Sequence, residues 1–212
     1  MRLLREYIRQ LLTEAAKGPA DLPNGVFVTI KADDGYEVYF SDEDGKRIPT
    51  YKKLRTTNPL YGYVAMDKGH RGRGLGHCLG AYMVVGSEAT HGWGPMLYDV
   101  IMELAGDDGV MADRSSISKD AFNVWQVYMT RDDVQKKQLD DERNTLTPDE
   151  EDNCDMDTAI QRSGLTTADM FSGEWTDEKT AELLKNSPIM KVYTKGPTTI
   201  EKLEADGRLI RL

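Results

Sequence analysis

Cysteine is scarce in this chain: two residues, Cys78 and Cys154, stand far apart among 212. That number offers no disulfide framework, and the chain suits a reducing compartment, the cytoplasm. There is no run of about 18 apolar residues, so no membrane span is expected. Positive charge is also short, with 27 Lys and Arg against 36 Asp and Glu, a formal net charge of −9 and a pI near 4.9. General nucleic-acid binding draws its affinity from neutralised phosphates and is not expected here. Lys68, His70, Arg71 and Arg73 form the one local basic patch.

The three histidines, His70, His77 and His91, lie in or beside glycine turns, and Cys154 has no Cys or His at ligand spacing. No metal site is expected. Neither a G-x-S-x-G elbow, a Walker motif, H-E-x-x-H nor C-x-x-C occurs, so nucleophilic and zinc chemistry have no support. Internal repeats and low-complexity linkers are absent as well. With 30% charged and 39% hydrophobic residues the chain has the composition of a soluble globular domain with an appendage.

Residues 80–128 organise the rest. Ala81 to Val85 form a short apolar run, the pattern of a strand buried on both faces. His91-Gly92-Trp93-Gly94-Pro95 then makes a glycine turn, and Pro95, lacking an amide hydrogen, suits the first helical position. Met96, Leu97, Val100, Ile101 and Leu104 follow at helical spacing. A helix that starts on a glycine turn aims unpaired amides and a partial positive charge outward. Gly92 and Gly94 either turn the chain only or let an anion approach its backbone. Val110 to Asp113 reads as a second strand, Ser116 or Ser118 as an N-cap, and Ala121, Val124, Trp125 and Tyr128 as one apolar helix face.

This order resembles the cofactor-binding half of the GNAT superfamily of acyl-CoA-dependent N-acyltransferases. There a strand runs into an R/Q-x-x-G-x-G/A turn that holds the coenzyme A pyrophosphate, and an N-x-x-A-x-x-L-Y segment opens the next helix. Residues 89–94 lie over the first motif and 118–125 over the second, about a quarter of the chain with the interval between them. Two positions depart: Ala89 replaces the Arg or Gln, and Trp125 replaces the tyrosine that protonates the departing thiolate. Indole cannot serve as that acid, so Tyr128, one turn further on, would have to. The resemblance implies an α+β fold, a mixed and mostly antiparallel sheet flanked by helices. It also implies acetyl-CoA as cofactor and a small-molecule or protein amine as acceptor. The backbone at Met83, Val84 and Val85 would hold the pantetheine arm, and Gly92, Trp93, Gly94 and Met96 the pyrophosphate. Glu88, beside the turn, is the first candidate for the base and Asp113 the reserve. Residues 71–76, Arg-Gly-Arg-Gly-Leu-Gly, satisfy R-x-x-G-x-G letter for letter but lack a following helix, and stand second.

Three regions are expected along the chain: residues 1–18, an amphipathic helix; 19–130, the GNAT-like core; and 131–212, an acidic segment with a final helix and strand. Leu3, Leu4, Tyr7, Ile8, Leu11 and Leu12 stripe the first helix, which either packs on the domain or docks a partner protein. It resembles the Leu/Ile-Arg leaders of many marine tailed-phage proteins, which would place the chain in a host cytoplasm or a virion. From Gly25, period-two alternation with Asp33-Asp34-Gly35 predicts a hairpin, and residues 41–46 a second, solvated turn. Lys46–Tyr51 and Leu60–Met66 read as further strands. The acidic residues 131–157 read as a mobile or surface segment. Beyond them come a helix from Thr176 to Leu184, a strand from Ile189 to Thr194 that would complete an acyltransferase sheet, and a helix from Thr198 to Ala205.

Overall fold

The computed structural model describes residues 16–49, 60–68, 74–90, 92–164 and 176–212. The expected N-terminal helix, the Arg71–Arg73 part of the basic glycine loop, His70 and His91 lie outside them. In chain order the elements are β1 (Phe27–Ala32), β2 (Gly35–Ser41), β3 (Gly62–Asp67), β4 (Tyr82–Ala89), α1 (Gly94–Ala105), β5 (Val110–Met111) and α2 (Lys119–Thr130). There follow β6 (Val134–Gln138), α3 (Asp157–Ser163), α4 (Asp177–Asn186), β7 (Lys191–Lys195), α5 (Thr198–Ala205) and β8 (Leu209–Arg211). The fold is α+β with a mixed sheet. No helix among the described residues is long and apolar enough to cross a membrane.

The chain divides into two compact units, each discontinuous in sequence. One draws on residues up to 66, 85–106 and 195–212, the other on 67–84 and 107–194. In the first, the strand order is β8-β1-β2-β3-β4. β1 and β2 pair antiparallel from Phe27↔Ser41 to Ala32↔Tyr36, the predicted hairpin, and β8 adds in parallel from Val28↔Leu209. At the second turn the Asp42 carboxylate accepts the amides of Asp44 at 3.1 Å and Lys46 at 2.9 Å, so the acidic cluster closes on itself as a hairpin tip. The apolar side of this sheet, with Val28, Ile30, Val38, Phe40, Val64 and Met66 buried, packs on α1. Contact is closest at Gly62, where a Cβ would stand 2.9 Å from Leu97 and 3.0 Å from Phe40.

Helix α5 lacks a side-chain cap of its own. The fully buried Glu103 carboxylate of α1 supplies one, accepting the amides of Thr199 at 2.8 Å and Ile200 at 2.7 Å and pairing with the buried Lys195. Two amides left over at the helix start are thereby satisfied, and the charges are matched.

In the second unit the start of β4 pairs in parallel with β5, β5 pairs antiparallel with β7 at Val110↔Tyr193, and β6 lies beyond β7. Ser118 caps α2 through Ala121 (3.1 Å) and Thr176 caps α4 through Lys179 (3.3 Å), as their positions predict. Trp125, Tyr128 and Tyr193 form a buried aromatic cluster, with Trp125 stacked on Tyr193 at 5.1 Å.

Three expectations are corrected. The acidic stretch is not a loose surface segment: it contains β6, and Leu139, Asp140, Asp141, Asp152, Asn153 and Cys154 are buried. Asp140 accepts the amides of Asp141 and Leu146 at 2.7 Å and Thr147 at 2.9 Å. Asp141 holds the Arg143 guanidinium at 2.8 Å and the Thr145 hydroxyl at 2.8 Å. Carboxylates met by this many donors can be buried.

The two cysteines are joined in a disulfide, and none is free among the described residues. An antiparallel bridge between Gly76 and Cys154 accompanies a Cα separation of 4.7 Å between Cys78 and Cys154, which distance along the chain could not reveal. The pairing takes away the reason that cysteine count gave for a reducing compartment. Strand β4, finally, is not buried on both faces: Met83 and Val84 are buried, whereas Val85 is 39% exposed, Ser87 is exposed, and Gly86, Glu88 and Ala89 are of intermediate burial.

Candidate functional site

The end of β4 and the start of α1, both in the first unit, are fastened to each other through Thr90. Its amide donates to the Tyr61 carbonyl (2.9 Å), its hydroxyl donates to the same carbonyl (3.0 Å), and that hydroxyl accepts the Tyr61 amide (2.9 Å). The Thr90 carbonyl in turn accepts the Trp93 amide at 3.0 Å, closing the turn on which the helix begins. Gly92 sits at φ +84°, a conformation that L side chains rarely adopt, and its carbonyl accepts the Lys17 amide at 2.9 Å. The Lys17 ammonium lies 5.1 Å over the Trp93 ring.

Helix α1 begins at Gly94, one residue before the expected Pro95. Its first turn offers the amides of Gly94 and Met96, which have no intrahelical acceptor by position, while Pro95 has none to give. Among the described residues a Cβ at Gly94 would meet only Ala89, at 4.0 Å, so none of them crowds that position. Trp93 behaves otherwise. Its amide is already bonded to Thr90, and its ring is buried edge-on against Phe40 at 5.4 Å. The Met96 side chain is buried too, so only its backbone could serve a ligand.

Glu88 is half-buried near the end of β4, and the Tyr61 hydroxyl donates to its carboxylate at 3.4 Å. Burial first, then the Glu88 charge and the hydrogen bond, push the Tyr61 hydroxyl above its ordinary pKa, so it stays a donor at neutral pH. Two residues back, Tyr63 lies against Gly86, with its hydroxyl 3.4 Å from where a Cβ would be, and the Arg47 guanidinium stands 4.1 Å over the Tyr63 ring. Arg47 also pairs with Glu37 at 2.6 Å. The arrangement holds a carboxylate able to take a proton, a neutral hydroxyl that orients it, and helix-start amides able to bind an anion.

The predicted site residues thus fall in two groups. Val85, Glu88, Gly92, Trp93, Gly94 and Met96 belong to the first unit; Met83, Val84, Asp113 and Tyr128 belong to the second. Tyr128 is fully buried beside Trp125 and Tyr193, and the Arg131 guanidinium lies 4.9 Å over its ring. Asp113 accepts the amide and hydroxyl of Ser115, both at 2.7 Å, as a turn-forming residue does. Among the described residues no group of three or more His, Cys, Asp or Glu could hold a metal ion. Sequence reading passed over Tyr61 and Thr90, whose partnership spans 29 positions; a threonine just before a glycine turn was the only local signal. No family model, curated protein or solved structure matches the chain.

Proposed function

We propose that the chain is a GNAT-like N-acyltransferase that moves an acetyl group from acetyl-CoA to an amine, carried by a small molecule or a protein. One observation carries this reading. β4 runs through the Thr90 latch into a helix whose start no described residue crowds at Gly94, and the chain returns as β5 parallel to β4 but paired only at Tyr82↔Val110 and Met83↔Met111. Beyond Met83 the β4 backbone is left without a β5 partner, and peptide-like groups of a ligand can bond such an edge as an added strand would.

Acetyl-CoA, when bound, supplies an acyl thioester open to attack by an amine. The Gly94 and Met96 amides would hold its pyrophosphate, and the backbone at Val85 its pantetheine arm. Glu88 would take the proton from the attacking amine, directly or through water, with Tyr61 orienting the carboxylate. Tyr128, fully buried in the second unit, is given no part in this step.

The burial of Tyr128 favours a second reading, a non-catalytic GNAT-like protein, phage-encoded and virion-associated or bound to a partner through residues 2–16. Turnover of acetyl-CoA with a panel of amines separates the two. Under the first reading Glu88→Gln lowers kcat by about 10²- to 10⁴-fold and abolishes the pH dependence of a general base. Under the second, no amine is acetylated by either protein.

A further inference from the structure

We propose that the Cys78–Cys154 disulfide is a redox-operated clamp on the turn that feeds β4. Formed, it holds residues 75–81 against residues 153–155; reduced, it lets that turn relax while the remainder of the protein stays folded.

Cys78 at φ +49° and Leu79 at φ +55° are consecutive left-handed residues, and neither is glycine. Such a pair persists only where its surroundings over-determine it. Among the described residues a handful of ties to residues 151–155 hold it, and His77 Nδ1 lies 3.8 Å from the Glu151 carboxylate. The Cys78 amide donates to the Asn153 carbonyl (2.8 Å), the Asp155 amide donates to the Leu75 carbonyl (2.9 Å), and Gly76 bridges to Cys154. Gly76 itself sits at φ +85°, and a side chain there would run into the Asn153 carbonyl. Within the turn, Gly80 bonds His77 at 2.9 Å and Ala81 bonds Cys78 at 3.1 Å. At the next residue the Tyr82 amide donates to Gly109 (2.9 Å) and pairing with β5 begins. The one covalent tie in this contact joins positions 76 residues apart, and without it the left-handed pair keeps noncovalent contacts alone, the Cys78–Asn153 and Leu75–Asp155 hydrogen bonds among them.

Both cysteines are fully buried, so a reductant acts through local opening of the same turn. An external dithiol breaks the S–S bond by thiolate attack through a mixed disulfide. Two electrons and two protons pass to the cysteines, which become thiols, and the dithiol closes to its own disulfide.

Hydrogen exchange on the full chain tests the proposal, comparing the oxidised protein, the protein reduced with dithiothreitol, and a Cys78→Ser/Cys154→Ser variant. Reduction is expected to speed exchange about tenfold or more at the amides of Cys78, Gly80, Ala81, Tyr82 and Asp155, leaving those of α1 and α5 unchanged. The variant is expected to match the reduced protein and to ignore dithiothreitol. Should the variant fail to fold, the reduced wild type decides alone, with both cysteines titrated as free thiols. Unchanged protection of the turn in that state overturns the proposal, as does acceleration throughout the chain.

Discussion

The hairpin of β1 and β2 and the acidic stretch of residues 131–157 both bury backbone, by opposite chemistry. In the hairpin, Val28, Ile30, Val38 and Phe40 fill the interior, Glu37 pairs with Arg47 and the other acids stay at the tips, one of them closing its own turn. In the acidic stretch the buried groups include carboxylates: Asp140 and Asp141 gather amides, a hydroxyl and a guanidinium around themselves and so organise the loop from inside. Charge density along a chain therefore reports exposure only where the carboxylates find no donors nearby.

The comparison breaks most visibly at Phe40, which touches Trp93 and closes over Gly62. Phe40→Ala is expected to cost about 3–5 kcal/mol, measured as a lowered urea midpoint with an unchanged slope. Asp140→Ala comes next. It strands three amides that share one buried carboxylate, and a loss of about 3 kcal/mol is expected from the same measurement. A cost below about 0.5 kcal/mol would mean that the acidic stretch is held by its apolar neighbours after all.

A smaller effect sharpens the contrast through pH. Burial works to raise the Asp141 pKa, but the bonds from Arg143 and Thr145 outweigh it and hold the carboxyl below its ordinary value. A carboxyl whose folded pKa is depressed adds stability above its unfolded pKa of about 3.9 and loses it as pH falls through the lower folded value. Asp141→Asn should accordingly be less stable than wild type at pH 7 and converge on it in urea melts as pH falls through and below the depressed folded value. A constant gap across that range would assign the effect to packing instead.

Legibility in the sequence followed the distance over which each feature is determined. Local features were legible: alternation in β1 and β2, Ser118 and Thr176 as caps, and the span of α5. Features that join distant positions were not. The cap of α5 comes from Glu103, 96 positions from Thr199; the Thr90 latch reaches 29 positions to Tyr61; the cysteines meet across 76. β6 was missed because Gln, Lys, Lys and Gln follow Val134, which suits the edge of a sheet and leaves no alternation to read. At the candidate site, Glu88 and the glycine turn were legible because they adjoin one another, whereas Tyr61 and Thr90 were not.

The most direct test of the account is calorimetric titration of acetyl-CoA into the wild-type chain and into Gly94→Trp. Among the described residues a Cβ at Gly94 meets only Ala89, at 4.0 Å, and an indole there would cover the first turn of α1. The account predicts roughly micromolar binding by the wild type, about −8 kcal/mol, and none by a variant with an unchanged urea midpoint. Absence of binding by the folded wild type, or equal binding by Gly94→Trp, would contradict it.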